Sequence, residues 1–184
     1  TCCHVFRARE GMDTLHEHDL HAQVTNSFMI FDLAHTHKSA KYKIDKLECY
    51  DEGLNYALLC LQDCQQSPLS ERGFLKLADG DQPLTPHTEL SLFQHSNKDQ
   101  PQQSTSGHFV RYVSERQESM FYNASTEKGA CGAPVLSLAS WEVVALHTSE
   151  QETDDLAQAT LLKAILLHIQ QIRPDLYHKI INAH

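Results

Sequence analysis

Short apolar runs alternate with polar, turn-rich stretches along most of the chain, the pattern of half-buried strands. The runs predict strands over Cys3–Phe6, Ser27–Leu33, Tyr42–Tyr50, Asn55–Leu61, Glu89–Gln94, His108–Val113, Ser119–Tyr122, Pro134–Leu138 and Glu142–Thr148. Gln65–Pro86 carries Pro68, Gly73, Gly80, Pro83 and Pro86 and reads as a long connector. Ser96–Ser106, rich in Gln and Ser around Pro101, reads as a loop. The period changes near the end, where Leu161, Leu162, Ile165, Leu166, Ile169 and Ile172 follow a helical stripe. Thr160 is the expected N-cap, and Pro174 breaks the helix or opens a second one through Ile181. Many short strands followed by a helix predict an all-β barrel or sandwich with a C-terminal helix.

The 184 residues, 41% hydrophobic and 21% charged, suffice for one domain with its own core. Asp and Glu number 24 against 15 Lys and Arg, a formal net charge of −9. That balance argues against direct binding to a phosphate backbone. No apolar run reaches membrane-spanning length, so no membrane partner is expected. The first residue is Thr1, and the expectation is a piece of a longer protein. Six cysteines without a framework spacing point to a reducing compartment. The usual paired zinc spacings are missing among the 13 histidines, so neither metal nor cofactor is expected. Cys2, Cys3 and His4, or Cys60 with Cys64, form only a weak metal alternative, and His16, His18, His21, His35 and His37 read as surface loop residues.

Chemistry enters at Gly129-Ala130-Cys131-Gly132. Flanking glycines permit backbone angles that other residues resist. Such a loop can hold a nucleophile outward and aim the N–H groups of Gly129 and Cys131 into one space, an oxyanion hole. A nucleophile also needs a base and a group to orient it. His4, in Thr1-Cys2-Cys3-His4, and Asn55, at the start of a strand, are the candidates.

These three segments resemble the signatures of trypsin-like peptidases, in the family's order. Thr1-Cys-Cys-His stands where the family has Thr-Ala-Ala-His. Asn55-Tyr-Ala-Leu-Leu-Cys-Leu is similar to its Asp-x-Ala-Leu-Leu-x-Leu, and Gly129-Ala-Cys-Gly-Ala-Pro-Val to its Gly-x-Ser-Gly-x-Pro-Val. Glu52–Leu59, Phe121–Leu136, Val143–Thr148 and the tail Leu162–Ile181 are most similar to one vertebrate group, the intracellular proteases called family with sequence similarity one hundred eleven. The resemblance implies a double β-barrel with the site between the barrels. Residues 1–86 would be the remainder of a first barrel, truncated at its N-terminus, with a connector. Residues 87–158 would form the second barrel and 159–184 a helical tail. It further implies protein or peptide substrates, a nuclear location, and chromatin-linked proteolysis tied to DNA replication, with any chromatin association carried by upstream regions.

Two departures fall on the triad: Cys131 replaces the family's serine and Asn55 its aspartate. The changes are chemically compatible. In a serine enzyme, Asp to Asn costs about 10⁴ in turnover, partly through the wrong imidazole tautomer. A thiol ionises far more readily beside an imidazolium, and an Asn carbonyl can then orient the ring, as in papain-like sites. Two readings stay open: an active cysteine-type endopeptidase, and a pseudoprotease whose groove binds peptides or proteins without cutting. By the family alignment, Ser125 lies near the base of the first specificity pocket and His147 on its wall. That implies an apolar, aromatic or uncharged polar residue before the cut. His147 is equally open to a plain barrel role.

Overall fold

The computed structural model describes residues 1–6, 17–32, 39–80, 83–95, 103–150 and 156–182. Two β units follow one another. The first is a three-stranded antiparallel sheet in the order β1 (Phe28–Phe31), β2 (Ala40–Asp51), β3 (Tyr56–Leu61). Along β2 the buried positions run Tyr42, Ile44, then Leu47, Cys49. The parity switches because a bulge between Ile44 and Lys46 inserts one residue against β3. A helix, α1 (Glu17–Thr25), lays Leu20 and Val24 onto this sheet, where both are fully buried with Phe6, Ile44, Leu47 and Ala57. Its apolar face is only that pair, one turn apart among histidines and polar residues, so it left no periodic signal. His18 and His21 lie on α1, while His16, His35 and His37 fall outside the described residues.

The second unit is a closed barrel of β4 (Glu89–Gln94), β5 (Gln103–Tyr112), β6 (Ser119–Tyr122), β7 (Pro134–Ser137), β8 (Val143–Glu150) and β9 (Ala157–Leu161), ordered β4-β5-β6-β9-β8-β7. Closure removes exposed strand edges. Leu90, Leu92, Met120, Tyr122 and Val135 fill the interior beside Ala145, Ala157 and Ala159. Small residues opposite large ones fit the tight interior of a small barrel.

The chain is thus mostly β, with a barrel, a second sheet and short C-terminal helices, as the strand pattern predicts. Three details differ. Cys3–Phe6 is a 3₁₀ turn, because Cys2 and Cys3 are both buried and break the alternation a strand needs. Thr160 is no helix cap. It belongs to β9, and α2 (Leu162–Ile172) starts directly after that strand without a side-chain cap. The expected loop Ser96–Ser106 becomes strand from Gln103 onward, and residues 96–102 lie outside the described ones. The first unit is an open sheet among the described residues.

The tail packs across units. Ile165 and Ile169 of α2 and Leu176 of α3 (Pro174–Ile181) cluster with Cys49 and Tyr56 of the first sheet. Pro174 sits in the first turn of α3, where its missing N–H costs nothing.

Gly107 of β5 lies against the backbone of Asn123 and Ala124, and a Cβ there would collide with the Asn123 carbonyl. Gly107→Ala is expected to cost about 1–3 kcal/mol through overpacking, measurable by denaturant unfolding.

Candidate active site

Thr1–Cys3 run alongside the start of β3. Ala57 N–H donates to the Thr1 carbonyl at 2.8 Å, and Cys3 N–H to the Asn55 carbonyl at 3.3 Å. Cys2 and Cys3 anchor this arm in the interior, and the 3₁₀ turn then leaves His4 exposed. Asn55 closes the β2–β3 turn with φ of 51°, a left-handed state that Asn tolerates better than most residues. The turn is tied by Leu54 N–H, which donates to Asp51 Oδ1 at 2.7 Å.

These two backbones bring His4 and Asn55 together. His4 Nδ1 lies 3.0 Å from Asn55 Oδ1 and 2.8 Å from Asn55 Nδ2, while Oδ1 also accepts the His4 backbone N–H at 3.1 Å. An amide can serve either ring state. A protonated Nδ1 donates to Oδ1, and an unprotonated one accepts from Nδ2. A carboxylate could only accept.

The Cys131 loop is shaped by two positive-φ glycines, Gly129 at 102° and Gly132 at 89°. Ala130 N–H donates to Glu127 at 3.1 Å, Ala133 N–H to Ala130 at 2.9 Å, and Gly132 N–H to the His147 carbonyl at 2.9 Å. Gly129 and Cys131, whose N–H groups are the expected oxyanion donors, stand on either side of the buried Ala130. Cys131 is half-buried, and its thiol donates to the Thr148 carbonyl at 3.2 Å. The Cys2 thiol donates to the His147 carbonyl at 3.1 Å. Two sulfurs therefore rest on consecutive carbonyls of β8. Burial first, and Cys131 second, push the Cys2 thiol from its ordinary 9.0 up to about 12. A Cβ on Gly132 would meet Thr1 Oγ1 at 2.7 Å and Cys2 N at 3.2 Å. The Cys131 loop and the His4 arm are in direct contact through that glycine.

Ser125 is exposed between β6 and the Cys131 loop. Its carbonyl accepts Gln94 Nε2 at 3.3 Å and Thr105 Oγ1 at 2.9 Å, and Gln94 Oε1 accepts Glu127 N–H at 3.2 Å. The buried Gln94 amide thus holds the segment leading to Cys131 from both ends. Sequence reasoning missed it; the one signal was a polar residue closing the apolar run of β4. His147 is 1% exposed, with Nδ1 2.9 Å from the Tyr122 hydroxyl inside the barrel. The metal alternative has Cys2 and Cys3 buried and His4 exposed, and no group of three or more metal-binding side chains occurs among the described residues. No described helix is long and apolar enough to cross a membrane.

Comparison with known families and structures agrees with this architecture. A family model described as "Trypsin-like peptidase domain" matches residues 1–146. The chain belongs to that family. Among solved structures it is similar to an inactive-form mutant of Rv3671c from M. tuberculosis H37Rv, with TM-score 0.53, 13% identity, 73% of this chain and 68% of that one covered. It is also similar to the Rv3671c protease in its inactive form, at TM-score 0.55 and 12% identity over 75% and 70% of the two chains. The active form from M. tuberculosis gives TM-score 0.55 and 14% identity over 73% and 60%. At these identities the structures speak for the fold alone. A search of the curated proteins finds no match.

Gly132→Ala is expected to strain the positive φ and push the Thr1–Cys2 arm away. His4 ring signals in NMR should then shift while the barrel signals stay in place.

Cys2 supplies a pH prediction. Below 9.0 the thiol keeps its proton whether folded or unfolded. Between 9.0 and about 12 the unfolded thiol ionises, and folding must return the proton. Stability therefore falls as pH rises through that window. Cys2→Ala should flatten the decline in a pH series of denaturant melts.

Proposed function

We propose that this chain is an endopeptidase that cuts peptide bonds with Cys131 as nucleophile, His4 as base and then acid, and Asn55 as the group that orients His4. The observation that carries the reading is the His4–Asn55 contact of 2.8–3.0 Å in a trypsin-like peptidase domain. In this reading His4 takes the Cys131 proton, and the thiolate attacks the scissile carbonyl carbon. A C–S bond forms as the carbonyl π pair moves onto oxygen, facing the Gly129 and Cys131 N–H groups. The oxyanion collapses, the C–N bond breaks, and imidazolium gives its proton to the leaving amine. Water, deprotonated by His4, then cleaves the thioester and releases Cys131. The imidazolium stages select Asn55 Oδ1 as acceptor, so an amide suffices where a thiol does the attacking.

Ser125 and His147 are proposed to shape the first specificity pocket, favouring an apolar, aromatic or uncharged polar residue before the cut. An exposed Ser125 offers no negative charge to a basic side chain. The likeness to family with sequence similarity one hundred eleven supports intracellular, nuclear proteolysis of chromatin-associated proteins linked to DNA replication, with protein substrates and no cofactor. A second reading is a pseudoprotease that holds extended peptides by strand addition. The Cys131 thiol's bond to the Thr148 carbonyl favours it, because that bond competes with donation to a base.

Cleavage of a mixed peptide library separates the two. The endopeptidase reading expects turnover that vanishes in Cys131→Ala; no turnover and no thiol-probe labelling in the folded protein would leave the pseudoprotease. Cys131→Ser alone should lose about 10⁴ in kcat because Asn55 does not enforce the serine-competent tautomer, and adding Asn55→Asp should recover part of that loss. A cleavage profile dominated by Lys or Arg would overturn the pocket assignment.

A further inference from the structure

The turn that carries Asn55 is gripped by the C-terminal part of the chain. Before Asn55, the Leu54 carbonyl accepts the Thr160 hydroxyl of β9 at 2.9 Å. After it, the Tyr56 hydroxyl lies 2.8 Å from Nδ1 of His168 on α2, with the two rings edge to face. The other nitrogen of His168, Nε2, lies 3.6 Å from Asp51 Oδ2. Asp51 in turn caps the turn through Oδ1. Asp51 and Tyr56 are the pair that closes the β2–β3 ladder. His168 therefore spans the mouth of the hairpin, touching both residues of its last pair, with Asn55 in the turn between them.

Burial raises the Tyr56 phenol well above its ordinary value, so its hydroxyl keeps its proton. That proton can go to Nδ1 of His168 at 2.8 Å or towards Cys49 Sγ at 3.8 Å. The shorter contact pairs with the neutral His168 tautomer whose ring proton sits on Nε2, facing the Asp51 carboxylate. His168 is only 24% exposed, sheltered enough for these contacts to hold one geometry. Asn55 sits at φ of 51°, and its amide reaches His4 at 2.8–3.0 Å. A tilt of the hairpin mouth moves that amide directly.

We propose that His168 is a positioning residue: it acts through Asp51 and Tyr56 on Asn55, and so sets the orientation of His4. Thr160 assists from the other side of the turn. The proposal rests on the peptidase reading for its effect on turnover, but its geometric core stands apart from it.

The test uses the full chain and two readouts, the His4 ring Cε1–H resonance at fixed pH and steady-state cleavage of a peptide. His168→Ala should move the His4 resonance in the same direction as Asn55→Ala. It should lower kcat by about 10- to 100-fold with KM within about twofold of the parent. Adding His168→Ala to Asn55→Ala should lower kcat no further, because both act through one group. His168→Asn, which keeps a hydrogen-bonding group near the Nδ1 position, should restore part of the loss. A folded His168→Ala with an unmoved His4 resonance overturns the proposal, as do losses that multiply in the double variant. If His168→Ala does not fold, Tyr56→Phe removes only the hydroxyl and must shift the resonance in the same direction. A parent that shows no turnover sinks the peptidase reading, while the His4 resonance still decides the positioning role.

Discussion

One carbonyl oxygen joins the two halves of the candidate site. The His147 carbonyl on β8 accepts both the Gly132 N–H, at 2.9 Å, and the Cys2 thiol, at 3.1 Å. Cys2 is 145 residues away in sequence, and it sits in the arm that ends in His4. A strand of the closed barrel is a rigid platform, because its neighbours on both sides fix its register. Anything hung from its carbonyl inherits that rigidity. The contact requires a residue without a side chain at position 132, since a Cβ would occupy the space of Thr1 and Cys2. It also requires a neutral donor at position 2. Burial meets that need by keeping the thiol protonated far into the alkaline range.

The second half of the constraint comes from the tail. The apolar face of α2 and α3 bridges the two units: Ile165, Ile169 and Leu176 cluster with Cys49 and Tyr56 of the first sheet, and Leu146 of barrel strand β8 packs against them. Polar contacts follow the same path: Arg173 Nη1 donates to the Glu48 carbonyl at 3.1 Å, and its guanidinium pairs with Asp175. The exposed Arg173–Asp175 pair adds little stability by itself. The apolar burial beneath it contributes more, and it seats the helix whose His168 faces the Asn55 turn. The β2–β3 hairpin is thus held by the Thr1–Cys3 arm on one side and by β9 and α2 on the other.

Under the proposed peptidase reading, Cys131 and Asn55 make sense as a pair rather than as two separate losses. A serine site needs a fixed negative charge behind the histidine, because the hydroxyl gives up its proton only during attack. A thiol beside an imidazole tolerates an uncharged amide, since ionisation costs less from the start. The amide at Asn55 reaches Nδ1 with either of its atoms, an ambiguity a carboxylate would not have. The same contact therefore suits a Cys–His pair and handicaps a Ser–His pair.

The strand rhythm, the sharp loop around Cys131 and the order of the three signatures were all legible in the amino-acid sequence, because each depends on residues close together in the chain. Period-2 burial marks a strand locally, and glycines beside a nucleophile mark a tight turn locally. Helix α1 was not legible, since Leu20 and Val24 alone make too narrow an apolar face. Strand β9 was masked by alanines and by the helical stripe beginning at its end, so Thr160 looked like a cap when its hydroxyl serves Leu54. Gln94, Tyr122 and His168 carried no local mark of their partners. What the sequence determined by itself was the class of fold and the three side chains proposed to carry its chemistry. Only the tertiary structure decided how they are held, because the His147 carbonyl, the Gln94 amide and the His168 ring act on groups that chain folding, not chain order, brings within hydrogen-bond reach.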